Sequence, residues 1–360
     1  MKIASPPRLL RRTAPLRDSG LVEFAAEDMD AYPILHDTVR EFAGENTPAD
    51  QTIYRYASYR ELLGLLSRLQ NRMRAEEANA IRCRFKQTDG KPGGSSSASS
   101  AEGSSESFSS EWEWLSGLFG SVGGRSVSDY ILHRHFTTYL QPVVQPDGTI
   151  AGYECLLRPL PEQQPFRPAE LFETARSIGQ HSFLDREARE AAVNFSASHL
   201  PQGMKRFINF LPSSLISPDR CLNGTFETIR SSGTDPRDLV FEVVETERLD
   251  HPELSRIFNL CREQGVLLAL DDVGDGYATL ETVERLKPDY VKMDRQWVSG
   301  CDRDPVKQAY IKKLLDRASR YHGVVLAEGV EREEEWRYLR EAGVPLYQGY
   351  LFGKAAPVPL

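Results

Sequence analysis

Carboxylates recur at the ends of short apolar runs throughout the second half of the chain. Residues 150–157 carry Glu154, 206–210 carry Asn209, and 239–245 carry Glu242 and Glu245. Residues 266–272 end in the adjacent Asp271 and Asp272, 289–294 contain Lys292 and Asp294, 324–331 carry Glu328 and Glu331, and 345–351 carry Gln348. Taken singly, each acid is explained as a helix cap or a solvated surface charge. An N-cap is likewise a fair reading of Asp271–Asp272. Capping gives no reason for successive runs to end in acids, an amide or a lysine. If the runs are strands converging on one mouth, eight carboxylates (Glu154, Glu242, Glu245, Asp271, Asp272, Asp294, Glu328, Glu331) crowd it, with only Arg158 and Lys292 to balance them. Buried like charges are costly and drive one another towards protonation, and a divalent cation relieves both problems. Oxygen ligands without a nearby histidine select Mg²⁺ or Mn²⁺ over zinc or copper. The adjacent pair Asp271–Asp272 suggests two metals at one strand end, the arrangement that activates water and stabilises in-line displacement at phosphorus. The chemistry indicated is metal-dependent phosphoester hydrolysis.

The elements that position these residues alternate. Amphipathic spacing predicts helices over 169–178, 185–200, 252–264, 280–286, 306–321 and 333–342, several stopped by Gly179, Gly265, Gly323 and Gly343. Alternating strands and helices make a parallel sheet. Seven or eight such units over ~220 residues predict a closed TIM-like (β/α)8 barrel, whose active sites gather at the C-terminal ends of the strands.

The remainder of the chain sets the frame. Its 360 residues, 40% hydrophobic and 27% charged, are ordinary globular composition. A net charge of −8 without a basic block argues against duplex nucleic acid as a partner. Five scattered cysteines (Cys83, Cys155, Cys221, Cys261, Cys301) form no Cys-x-x-Cys pair, and no apolar run is long enough for a transmembrane segment. A cytoplasmic protein is expected. Residues 91–110 hold ten serines in twenty positions and read as a flexible linker. Residues 1–90 read as a small α/β domain, possible strands at 21–25, 51–57 and 81–85 alternating with helices at 28–44 and 59–78. It carries no evident chemistry, and a regulatory role is the expectation. Residues 111–130 are a connecting segment, with a helix expected over 111–122 from Trp112, Trp114, Leu115, Leu118 and Phe119. Residues 131–360 are the barrel.

These motifs, in this order, resemble the EAL family of cyclic-di-GMP phosphodiesterases over about 136–357. Glu154-Cys155-Leu156-Leu157-Arg158 stands for the name-giving Glu-Ala-Leu with its following Leu-Arg, and Asn209 lies in Ile-Asn-Phe. Glu242-Val-Val-Glu245, the run from Asp271 to Tyr277, Lys292-Met-Asp294, Ala327-Glu328-Gly329-Val330-Glu331 and Gln348-Gly349-Tyr350 complete the series. The resemblance implies a barrel whose first strand is open to an antiparallel course, a homodimer through the barrel, and hydrolysis of cyclic di-GMP to linear 5′-pGpG. It implies that Glu154, Asn209, Glu242 and Asp271 hold one metal, and Asp272 and Asp294, with Asp271 as a bridge, the other. Lys292 would orient the attacking water, Glu328 would ligate or assist proton removal, and Arg158 and Gln348 would serve the substrate. Glu245, Glu331 and the loop of Asp275 would support the site.

The sequence departs from that pattern in places. Cys155 replaces the alanine of the triplet, Val244 a threonine, Val273 a phenylalanine and Asp275 a threonine in the loop after the metal acids. The last three bear on rate and regulation. A non-catalytic receptor for cyclic di-GMP, or a protein-interaction module, is the alternative that the family offers, although such domains usually lack ligands that are all present here.

Overall fold

The computed structural model describes residues 15–43, 52–86, 111–212, 218–243, 252–274 and 279–360. Residues 1–135 with 161–184 form one compact unit, and 136–160 with 185–360 form the other. The serine-rich stretch 91–110, Val244, Glu245 and Asp275 lie outside the described residues.

The first unit is built on four antiparallel strands: β1 (Gly20–Ala25), β2 (Ile53–Tyr56), β3 (Arg82–Lys86) and β4 (Glu113–Trp114), in the order β2-β1-β3-β4. Alternate strand residues Val22, Phe24, Tyr54, Tyr56 and Cys83 are buried, as period-two patterning requires. Helix Tyr59–Arg72 starts where the Ser58 hydroxyl accepts the Glu61 N–H, and it buries Leu62, Leu63, Leu65, Leu66 and Leu69. The helix expected over 111–122 does not form. Glu113–Trp114 pairs instead with Cys83 and Arg82, a 3-10 turn follows over Leu115–Leu118, and β5 (Ser121–Val122) and β6 (Arg125–Ser126) make a hairpin. Gly117, Gly120, Gly123 and Gly124 weaken a helix there. The free edge of β3 supplies the competing hydrogen bonds.

The second unit is a closed eight-stranded barrel. Its strands are β7 (Phe136–Val144), β8 (Ile150–Pro159), β9 (Lys205–Phe210), β10 (Leu239–Val243), β11 (Leu267–Val273), β12 (Tyr290–Met293), β13 (Val324–Ala327) and β14 (Leu346–Gln348). All neighbours run parallel except β7, which is antiparallel to both β8 and β14. A five-residue connection between Val144 and Ile150, with a turn at Gly148 (φ +85°), is too short for a parallel crossover, so β7 and β8 can only be a hairpin. The expected helices are present, with ends shifted by a few residues. Helix Pro218–Ser232 is an addition that the sequence hid behind Pro218 and an interior Gly224. Helix Pro305–Ser319 does not end on a left-handed Gly323. His322 takes the left-handed backbone (φ +65°), while Gly323 gives room to the Tyr321 ring, 2.4 Å from where a Cβ would stand.

Candidate active site

The barrel interior is layered, and period two along the strands sets the layers. A lower layer is apolar: Val143, Phe207, Val240, Ala269, Tyr290, Leu326 and Leu346 pack on one another. Two residues further along the parallel strands β9 to β12 and β14 stand Asn209, Glu242, Asp271, Lys292 and Gln348, and Glu328 stands two residues beyond Leu326, just past the end of β13. On the reversed β7 the step runs the other way, from Val143 to Gln141, which lies opposite Glu154 of β8. The apolar layer closes the floor, and the layer above it is polar on every strand. Cys155, one step from Glu154, turns to the outer core, where its thiol is pushed up by burial.

Asp271 and Asp272 both serve this mouth because β11 is irregular there. Leu270 pairs with Val291 but Val273 pairs with Met293, so three steps on β11 span two on β12. Asp272 takes a left-handed backbone (φ +49°), uncommon for a residue other than glycine. In a regular strand adjacent side chains point to opposite faces; the bulge cancels that alternation. Carboxylate oxygens of Asp271, Asp272 and Glu328 lie within 4.8 Å of one another. Asp294, one residue past β12, accepts the Gln296 N–H at 2.8 Å and caps the short helix Arg295–Val298. Its own N–H donates to the Val273 carbonyl at 3.3 Å.

Lys292 is the hub. Its ammonium lies 2.8 Å from Glu328, 2.9 Å from both Glu242 and Asp271, and 3.7 Å from Glu154. The sequence placed Lys292 beside the acids, and the fold encloses it among them. Burial alone would lower the lysine's proton affinity. The carboxylates of Asp271, Glu154, Glu242 and Glu328 overrule it and hold the group charged. Burial pushes Glu242 and Glu328 well above the usual carboxylate range, against the pull of Lys292.

With all four carboxylates ionised, one ammonium would leave a formal charge of −3 in a largely buried site. Lys292 meets Glu242 Oε1 and Asp271 Oδ1 as ion pairs, yet neither oxygen, nor Glu242 Oε2, accepts a hydrogen bond of good geometry. Gln348 donates to Glu154 Oε2 at 2.7 Å, while its own Oε1 is unpartnered. Orphaned, anionic, all-oxygen donors are what hard divalent cations take, so the residues present fit such an ion.

The layer opens into a cleft of about 210 Å³, lined by Glu154, Glu328, Glu331 and Gln348 together with Gln141, Arg295, Gly329, Gly349 and Tyr350. Of the last five, Gly329, Gly349 and Tyr350 stood in the sequence motifs without a role, and Gln141 and Arg295 escaped the sequence reading. Gln141 is legible only once β7 is known to be reversed. Arg295 follows Asp294 directly, but nothing local tells its direction. Tyr350, 60% exposed at the rim, follows Gln348–Gly349. Arg158 is not among the lining residues and donates to the adjacent Leu157 carbonyl at 2.8 Å. Glu331 pairs with Arg295 at 3.0 Å.

Known proteins resemble this chain in sequence and fold. Residues 125–355 match the model of the EAL domain. A probable cyclic di-GMP phosphodiesterase of Escherichia coli, PdeG, is 37% identical over 229 residues, which cover 60% of this chain and 44% of that protein. A second from the same organism, PdeN, is 28% identical over 70% of this chain and 54% of its own length. The chain thus spans about half the length of the curated relatives it matches. Among solved structures, BlrP1 of Klebsiella pneumoniae in a calcium and cyclic-di-GMP complex superposes with a TM-score of 0.57 at 29% identity, covering 62% of this chain and 56% of that one. A standalone EAL protein of Vibrio cholerae in its c-di-GMP-bound form gives 0.55 at 30% identity over 61% and 92% of the two chains. The reversed first strand, the polar layer at the strand ends and a family match over well more than half its length place this chain in the EAL domain family.

Proposed function

We propose that this chain hydrolyses cyclic di-GMP to linear 5′-pGpG, with two Mg²⁺ or Mn²⁺ ions held at the polar layer of the barrel. The observation that carries the reading is the convergence of Glu154, Glu242, Asp271 and Glu328 on Lys292, a buried anionic cluster with more oxygen than one ammonium can satisfy. Glu154, Asn209, Glu242 and Asp271 would hold one ion; Asp272 and Asp294, with Asp271 shared and Glu328 beside them, would hold the other. Such ions, when bound, lower the pKa of a coordinated water and neutralise charge on phosphoryl oxygens. Lys292, kept protonated by its carboxylates, orients the attacking water and steadies charge at phosphorus. Glu328, at the edge of the cleft, would take the proton that the water gives up. Arg158 and Gln348 serve to hold the substrate. Four described cysteines are buried free thiols, which fits a reducing compartment.

The test is turnover of cyclic di-GMP by the purified chain with Mg²⁺ or Mn²⁺, the product being resolved by chromatography. Linear dinucleotide should accumulate, stop on chelation, and be absent in Glu154→Ala. Tight nucleotide binding without product under either metal would replace this reading by that of a receptor.

A further inference from the structure

A cyclic dinucleotide carries two phosphates, and its approach to a site already rich in negative charge needs a cation with capacity to spare. Lys292 is 1% exposed and shared among four carboxylates. Arg158, which serves the substrate on the reading above, does not line this cleft. Among the described residues that line the cleft, Arg295 is the cation. Its placement is built rather than incidental. The aliphatic stem lies across Gly329, where an added Cβ would come within 2.6 Å of Arg295 Cγ, 2.8 Å of its Cβ and 2.9 Å of its Cδ. That glycine, with a left-handed backbone (φ +67°), separates Glu328 from Val330, so the strand-end turn bearing Glu328 is also the bed of the arginine. The guanidinium end is 59% exposed and meets Glu331 Oε1 at 3.0 Å, Glu331 being 38% exposed.

We propose that Arg295 is a phosphate-binding residue of this cleft, parked on Glu331 until an anionic substrate arrives. The inference rests on the cyclic-dinucleotide reading above and adds a specific recognition group to it. An exposed ion pair of this kind contributes little stability by itself, so exchange of its carboxylate for phosphate is cheap. A guanidinium offers two parallel N–H donors to a pair of phosphoryl oxygens, a geometry that an ammonium lacks. Glu331 keeps the fork over the cleft in the empty state, and the Gly329 bed fixes the height of the stem.

The test is calorimetric titration of cyclic di-GMP, in Ca²⁺, into the wild-type chain and into Arg295→Gln and Glu331→Gln, with circular dichroism as a check of folding. Arg295→Gln should weaken binding by about tenfold or more. Under turnover with Mg²⁺ it should raise KM by a similar factor and leave kcat within about threefold, the pattern of lost uniform binding. Glu331→Gln releases the arginine and should bind the nucleotide as tightly as wild type or more tightly. Arg295→Gln binding within about twofold of wild type overturns the proposal, as does Glu331→Gln weakening binding as much as Arg295→Gln, which makes the pair a brace. Failure of the wild-type chain to bind the nucleotide at all overturns the underlying functional reading, and the inference falls with it.

Discussion

At the scale of the residue, the site is governed by the imbalance around Lys292. Removing its charge while keeping its bulk, in Lys292→Met, leaves Glu242 and its neighbours buried and uncompensated. Breaking a buried charge pair from one side costs about 3–5 kcal/mol. The melting temperature in chelator should therefore fall steeply. Mg²⁺ or Mn²⁺ should recover a larger share of it in the variant than in wild type, because the ion replaces the lost positive charge. Thermal melts of both chains with and without metal decide this; a variant indifferent to metal would count against cation binding. The acids themselves were legible as residue types at strand ends. Their proton affinities were not, because burial and neighbouring charge set them.

At the scale of the element, the bulge in β11 and the short helix Arg295–Val298 work together. Past the bulge, the Gly274 carbonyl accepts from Gln296 Nε2 at 3.0 Å and from Trp297 Nε1 at 3.1 Å. The Trp297 ring in turn stacks 3.7 Å from Tyr310 on helix Pro305–Ser319. Gly274 (φ +107°) admits this approach, since a Cβ there would collide with Trp297 Nε1 at 2.2 Å. Trp297→Phe keeps the stack and loses one hydrogen bond, a loss of about 1 kcal/mol. If that bond positions Asp271–Asp272, Mn²⁺ affinity measured by electron paramagnetic resonance should drop several-fold in the variant. Unchanged affinity would assign the contact to stability alone.

A second element carries a pH signature. His181, buried at the start of helix His181–His199, has its proton affinity lowered to about 4, first by burial and then by Arg176. Its folded value lies below the unfolded 6.5, so the unfolded chain binds more protons between the two. Stability from this group is complete above pH 6.5 and is lost as pH falls towards 4, by up to about 3 kcal/mol. Urea melts between pH 7 and 4.5 should show that decline, and His181→Asn should flatten its share of it.

At the scale of the whole molecule, the first compact unit takes in residues on both sides of 91–110. The strand Glu113–Trp114 completes the N-terminal sheet, and Ser67 of helix Tyr59–Arg72 donates to Asp129 at 2.6 Å within the same unit. A chain beginning at residue 111 therefore loses three of the four strands of that sheet. It also uncovers residues such as Leu115, Leu118 and Ile131, which are 0% exposed in the full chain. Such a chain should bind a hydrophobic dye and aggregate more readily than the full chain. Equal solubility and equal melting would show that the barrel tolerates the loss.

The sequence by itself determined which residue types sit near the strand ends, in what order, and that the strands close into a barrel. Those features are local: period-two alternation, helical stripes and glycine stops act over a few residues. The tertiary structure alone decided which of them meet. Lys292 at the centre, the paired exposure of Asp271 and Asp272, Gln141 on the reversed β7, and Arg295 laid across Gly329 all depend on register between strands distant in the chain. Hydrogen bonding across the closed sheet sets that register, and a single inserted residue in β11 is enough to change which face an acid serves.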